Sequence, residues 1–138
     1  MRYYLDTNIL IFILSDDKDE LSVQTRDLLA DYSNSFFISS VVLKEVILLY
    51  KENKLKHLKY KTCKYLLVAI EELNYDIVSV TKKHLYVYAE LEAAEDHKDP
   101  NDHIIIAQSI SDKIPVISSD KKFKNYEKQG LQFVFNKR

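Results

Sequence analysis

Glycine occurs once in the 138 residues, at Gly130, so the chain has neither a Gly-rich loop to cradle phosphates nor a dinucleotide-binding fingerprint. Cysteine is equally scarce. Cys63 stands alone, which excludes an internal disulfide and any multi-cysteine zinc site and fits a reducing compartment, by expectation the cytoplasm. Charge of one sign is lacking too: 20 basic against 21 acidic side chains leave a formal net charge of −1, so charge alone names no partner. With 46% hydrophobic residues the composition is that of a folded protein and not of a disordered one. Long apolar runs are also missing. The opening MRYYLDTNILIFILSDD is interrupted by Asp6 and Asn8, its run from Ile9 to Leu14 is short, and no stretch approaches membrane-spanning length. Neither a signal peptide nor a membrane partner is expected.

What the chain does have is an alternation of strand-like and helix-like segments, over a length that suits a single domain, 1–138. Arg2 to Leu5 reads as a short strand ending at Asp6, with Thr7 or Asn8 capping a helical turn through Leu14. Leu21 to Asp31 has helical spacing, FFIS from Phe36 to Ser39 is strand-like, and Ser39 or Ser40 is placed to cap a helix from Val41 to about Asn53. A Lys-rich joint leads to a second helix near Tyr60 to Leu73, whose stripe is Leu66, Leu67, Ile70 and Leu73. The strand IVSV, a helix from Thr81 to Ala94, a helix from Asp99 to about Ser111, the strand IPVIS and, after Gly130, the strand LQFVFN complete the chain. Strands alternating with helices predict an α/β fold, a three-layer α/β/α sandwich around a mostly parallel central sheet. In such sheets reactive groups gather beyond the carboxyl ends of the strands.

Acidic residues are set to reach that edge. Asp6 follows the first strand and Asp120 follows IPVIS. The stretch HKDPNDHIIIAQ, His97 to Gln108, adds two more around a proline: Asp99 suits an N-cap, Pro100 the first helical position, and Asp102 the first turn at the positive end of the helix dipole. The helix they open leads into IPVIS, so it should begin at the same edge. Glu45 interrupts the apolar VVLKEVILLY and falls between Val41 and Leu49 on the helical wheel. A carboxylate on that face asks for a cation, an ion pair or a proton, because burying an unpartnered charge is costly. Side chains lean toward the helix N-terminus, which directs Glu45 back to the strand end. Four carboxylates brought together repel one another unless a cation sits among them, and all-oxygen ligands select Mg²⁺ or Mn²⁺ over zinc. Such ions activate water and clamp the attacking and leaving oxygens of a phosphodiester, so nuclease chemistry is the reaction expected of Asp6, Glu45, Asp102 and Asp120.

In that order, MRYYLDTNIL, SSVVLKEV, HKDPNDHIIIAQ and PVISSD resemble the four acidic motifs of the PIN-domain ribonucleases. HKDPNDHIIIAQ with ISSD is especially similar to VapC-type toxins of bacterial toxin–antitoxin modules. The resemblance runs from the first residues to near the end of the chain. It implies a PIN-like fold, Mg²⁺- or Mn²⁺-dependent endonucleolytic cleavage of RNA, a cognate antitoxin protein and a homodimer. Residue by residue, it implies that Asp6, Glu45, Asp102 and Asp120 are the catalytic and metal-binding tetrad, with Asn8 and Ser118 in support. Asp99, read as the helix cap, stands beside them as a third supporting residue. The chain departs from the VapC-like pattern in having Asn101 where Phe is frequent and His103 where Arg is frequent, which bears on substrate preference more than on metal binding.

Other reactive types are read more plainly. His57 and His84 are surface or boundary residues, while His97 and His103 flank the acidic pair, where either could touch substrate phosphate; His103 is carried as the candidate. Cys63, near Leu66 and Leu67, is a packing residue. Between Lys51 and Lys64 the lysines interleave with His57 and Tyr60, making Lys54, Lys56 and Lys59 candidate RNA phosphate contacts, against the alternative of a solvated hairpin. An aspartyl-phosphatase would want an acid two after Asp6, where Asn8 stands. The competing function is a catalytically silent PIN-fold RNA-binding or scaffold module, which would protect RNA with or without Mg²⁺.

Overall fold

Tyr3, Tyr4 and Leu5 are buried on alternating sides of β1 (Arg2–Leu5), Tyr4 in one apolar cluster and its two neighbours in another, as a strand covered on both faces requires. The computed structural model describes the backbone of residues 1–138 and every side chain except that of Lys18. Four further strands, β2 (Ser35–Ser39), β3 (Asp76–Val78), β4 (Val116–Ser118) and β5 (Phe133–Phe135), join β1 in one parallel sheet ordered β3-β2-β1-β4-β5. Tyr4 lies opposite Phe37 of β2 and Val116 of β4. From β1 the chain steps outward through β2 to β3, then crosses back to β4 and β5 on the other side. Between β1 and β4 its lateral direction reverses, and open parallel sheets leave a crevice at that switch point, beyond the carboxyl ends of the strands.

Six α-helices, α1 (Thr7–Leu14), α2 (Val23–Ala30), α3 (Ser40–Lys51), α4 (Cys63–Glu72), α5 (Lys82–Glu90) and α6 (Pro100–Asp112), cover the sheet. On one face Tyr4, Ile38 and Val116 pack with Val46 of α3, Leu66 of α4 and Ile106 of α6. On the other, Leu5, Phe36 and Ile117 pack with Ile9 of α1 and Leu21, and the partly buried Leu28 of α2 closes that side. The expected three-layer α/β sandwich is the observed architecture. Among the described residues no helix is long and apolar enough to cross a membrane.

Several boundaries differ from the sequence reading, and each has a hydrogen-bonding cause. The N-cap of α1 is Asp6, not Thr7 or Asn8, because its carboxylate accepts the Thr7 N–H. Ser39 caps α3 through the Val41 N–H. The expected helix from Tyr60 begins only at Cys63, after its cap Thr62. The residues before it bury Leu55 and Leu58, and the Tyr60 carbonyl accepts the Tyr50 hydroxyl proton, an irregular path in place of a helical turn. Helix α5 stops at Glu90, short of Ala94: Leu91 is extended, and the Glu92 and Ala94 amides donate to Gln129 Oε1 and to the Tyr126 hydroxyl instead of to a helical ladder. The sequence reading had no element where a 3₁₀ stretch spans Lys121–Gln129, with Phe123 and Tyr126 fully buried. It starts from Asp120 as cap and stops at Gly130, whose φ of 105° suits glycine. A second, short 3₁₀ turn covers Lys18–Glu20.

Candidate active site

At the switch point the Asp6 amide donates to the Ile117 carbonyl at 3.0 Å, so β1 stays paired with β4 until its last step and delivers the Asp6 side chain beside Ser118. The carboxylate is 5% exposed and held at both oxygens: Oδ1 accepts the Thr7 N–H at 2.8 Å and Oδ2 the Ser118 hydroxyl at 2.6 Å. The same Ser118 Oγ accepts the Asp120 N–H at 3.0 Å, tying the acid after β1 to the acid after β4. Glu45, half-buried on α3, is fixed from the other side, where the Thr7 hydroxyl donates to its Oε1 at 2.9 Å. Asp102 lies in the first turn of α6, its Oδ2 2.9 Å from His97 Nε2. Asp120 Oδ2 is 3.8 Å from that nitrogen, and its Oδ1 accepts the Lys122 N–H at 2.9 Å.

The charges of these acids act on one another. Burial pushes Asp6 up to about 6, with the charges of Asp102 and Asp120 adding to the rise and the hydrogen bonds from Ser118 and Thr7 opposing it. Burial also pushes Asp102 up to about 7, helped by the charges of Asp99, Glu45 and Asp120 and opposed by Lys122. Glu45 is raised by burial and by Asp6 and Asp99, while Thr7 and Lys44 hold it down. Carboxylates lifted first by burial and then by one another are short of positive charge. A divalent cation among them would supply it, and the donor set of carboxylate oxygens fits Mg²⁺ or Mn²⁺. His97, Asp102 and Asp120 together bring one ligand-type atom each to within 4.8 Å of one another.

The structure therefore gathers Asp6, Glu45, Asp102 and Asp120, with Ser118 between two of them. Asp99 is exposed and caps α6 through the Asn101 N–H, so it faces the group from the rim by charge alone. Asn8 is exposed; its neighbour Thr7 makes the contact that holds Glu45. His103 is corrected: its ring is 8% exposed and its Nε2 donates to the His97 carbonyl at 2.7 Å, so it faces the interior and braces the loop instead of meeting a phosphate. Lys54, Lys56 and Lys59 are exposed, but they follow the C-terminal end of α3, whereas Glu45 lies in its first half. Sequence reasoning gave Thr7 and Tyr126 no place at the site, and read His97 as a phosphate contact and not as a neighbour of Asp102. Thr7 stands in MRYYLDTNIL but is read there only as a helix cap; His97 and Tyr126 meet only through the fold.

A family model of the PIN domain matches residues 3–129. No curated protein sequence matches the chain. Among solved structures the chain is similar to VapBC2 from Rickettsia felis bound to a DNA fragment from their promoter, at 21% identity over 99% of each chain with a TM-score of 0.68. It is similar also to DNA-bound VapBC from Salmonella typhimurium, at 18% identity over 98% of each chain and a TM-score of 0.71. A toxin–antitoxin complex from Klebsiella pneumoniae follows at 19% identity, covering 88% of this chain and 89% of that one, with a TM-score of 0.57. At these identities the likeness is one of fold.

Proposed function

Because the chain belongs to the PIN-domain family, we propose that it is a metal-dependent endoribonuclease and the toxin of a toxin–antitoxin pair. The observation that carries this reading is the convergence of Asp6, Glu45, Asp102 and Asp120 at the switch point, with Asp6 and Asp102 both raised by burial and by each other's neighbours. A divalent ion held there would supply positive charge to the scissile phosphodiester and acidify an attacking water. The chain's own part is to hold the carboxylates: Thr7 orients Glu45, and Ser118 with the Thr7 amide orients Asp6. Lys122, whose charge is felt at Asp102, and Lys44, 3.4 Å from Asn101 Oδ1, stand at the rim to meet substrate phosphates. A cognate antitoxin follows by analogy with the VapBC and toxin–antitoxin complexes whose fold it shares, and a homodimer from the resemblance of the motifs.

The test is cleavage of total RNA with Mg²⁺, with Mn²⁺ and with chelator, using wild type and Asp6→Asn. Wild type should cut with either ion and stop with chelator, while Asp6→Asn should lose orders of magnitude of rate with the fold intact. RNA bound and protected regardless of metal would instead support the silent scaffold.

A further inference from the structure

His97 touches the acidic site from a position the tetrad does not include. Its Nε2 lies 2.9 Å from Asp102 Oδ2 and 3.8 Å from Asp120 Oδ2, close enough to serve either as a metal ligand or as a hydrogen-bond donor to the carboxylate. The far side of the ring decides between the two. The Ala94 N–H donates to the Tyr126 hydroxyl oxygen at 3.1 Å, and that hydroxyl is 3.1 Å from His97 Nδ1. Tyr126 is 0% exposed. A backbone amide only donates, so the hydroxyl oxygen accepts there, and the hydroxyl proton has one acceptor among its hydrogen-bonding neighbours, Nδ1. Nδ1 therefore carries the lone pair and Nε2 the proton, aimed at Asp102. The opposite tautomer would strand a buried hydroxyl proton and set the Nε2 lone pair against a carboxylate oxygen. The ring is also locked in place, edge-on to His103 at 5.1 Å and tilted on Phe123 at 5.7 Å, with its own carbonyl accepting from His103.

We propose that His97, its tautomer set by Ala94 and Tyr126, is a positioning residue that donates Nε2–H to Asp102 and stays outside the coordination sphere of the metal. The donation occupies Asp102 Oδ2 and leaves Oδ1 for a cation, so the site keeps an all-oxygen donor set. The purpose rests on the nuclease reading above; the tautomer does not, since it is fixed by the metal-free protein.

Two-bond proton–nitrogen NMR on ¹⁵N-histidine-labelled protein reads the tautomer directly. The metal-free protein should show His97 as Nε2–H, saturating Mg²⁺ should leave it so, and Tyr126→Phe should release a mixture. An Nδ1–H signal, whether without metal or on adding Mg²⁺, overturns the proposal, because it frees Nε2 to ligate. Titration calorimetry with Mg²⁺ reads the positioning: His97→Ala should weaken the affinity about 10- to 100-fold, the usual loss when a group that orients a metal ligand is removed. His97→Gln, whose amide can donate from nearly the same place, should recover most of it. Wild-type affinity in His97→Ala, or no recovery in His97→Gln, removes the positioning role. Should His97→Ala not fold, the wild-type tautomer and His97→Gln still decide. Failure of wild type to cut RNA or take up Mg²⁺ counts against the nuclease reading and leaves the tautomer measurement standing on its own.

Discussion

Asp99 accepts the Asn101 amide at 2.9 Å while exposed to solvent, whereas Asp102, one turn on, is raised to about 7 by burial among like charges. Two carboxylates separated by one turn thus have opposite effects on the fold. Removing the first should cost stability, about 1 kcal/mol for Asp99→Ala, as loss of a helix cap typically does. Asp102→Asn should leave the metal-free melting temperature unchanged or higher, because the amide keeps the shape and drops the repulsion, and should reduce metal-dependent cleavage by orders of magnitude. Melting curves and cleavage rates on both variants check the assignment; an active Asp102→Asn beside a folded, inactive Asp99→Ala would exchange the roles. At this scale the acids were legible in the sequence because ionisable side chains interrupting apolar runs stand out. Thr7 was not, since nothing in DTN says which of two adjacent polar side chains turns toward Glu45; the Asp6 cap on α1 decides that Thr7 is buried and Asn8 exposed.

The elements were legible where periodicity sets them and illegible where side chains from elsewhere take over the backbone. Every expected strand is present, and α3 and α6 lie close to where their caps placed them. Helix α5 ends early because Gln129 and Tyr126, distant in sequence, capture the amides that would have continued it. The stretch Lys121–Gln129 was unread because KKFKNYEKQ has only Phe123 and Tyr126 as apolar anchors, three apart, which suits a 3₁₀ turn but gives no strong helical stripe. The joint between α3 and α4 presents its lysines to solvent. Lys54 is exposed and lies 3.7 Å from Glu52, an ion pair of little consequence in solvent, so its charge remains available to a polyanion. If the joint holds RNA, changing Lys54, Lys56 and Lys59 together to Gln should lower affinity for all sequences and reduce the salt slope by about 2, from three contacts at about 0.7 each on single strands. Filter binding across a salt series checks this, and an unchanged slope would make the joint a solvated surface.

For the whole molecule, the placement of four acids at one switch point ties stability to pH and metal together. Asp6 rises from 3.8 to about 6 and Asp102 from 3.8 to about 7 on folding. A carboxyl raised in the fold binds its proton more tightly there than in the unfolded chain. Its contribution is therefore fully present below about pH 4 and is lost as pH rises through the folded values. Without metal, these groups should make the protein most stable below about pH 4, and should cost it stability as pH rises from about 4 to about 7. For Asp6 alone the loss is about 3 kcal/mol, from a shift of about two units at 1.36 kcal/mol each. A divalent cation replaces the missing protons, so Mg²⁺ should restore at high pH what deprotonation removes. At about 100 times its dissociation constant Mg²⁺ adds about 2.7 kcal/mol, a rise of about 9 °C for a chain of this size. The rise should be larger at pH 8 than at pH 5, where protons compete for the same oxygens, and should vanish in the double variant Asp6→Asn, Asp120→Asn. Thermal melts with and without Mg²⁺ at the two pH values make the comparison. Equal shifts at both, or a shift that survives the double variant, would mean that the ion binds elsewhere on the molecule and that the repulsion among these carboxylates is relieved some other way.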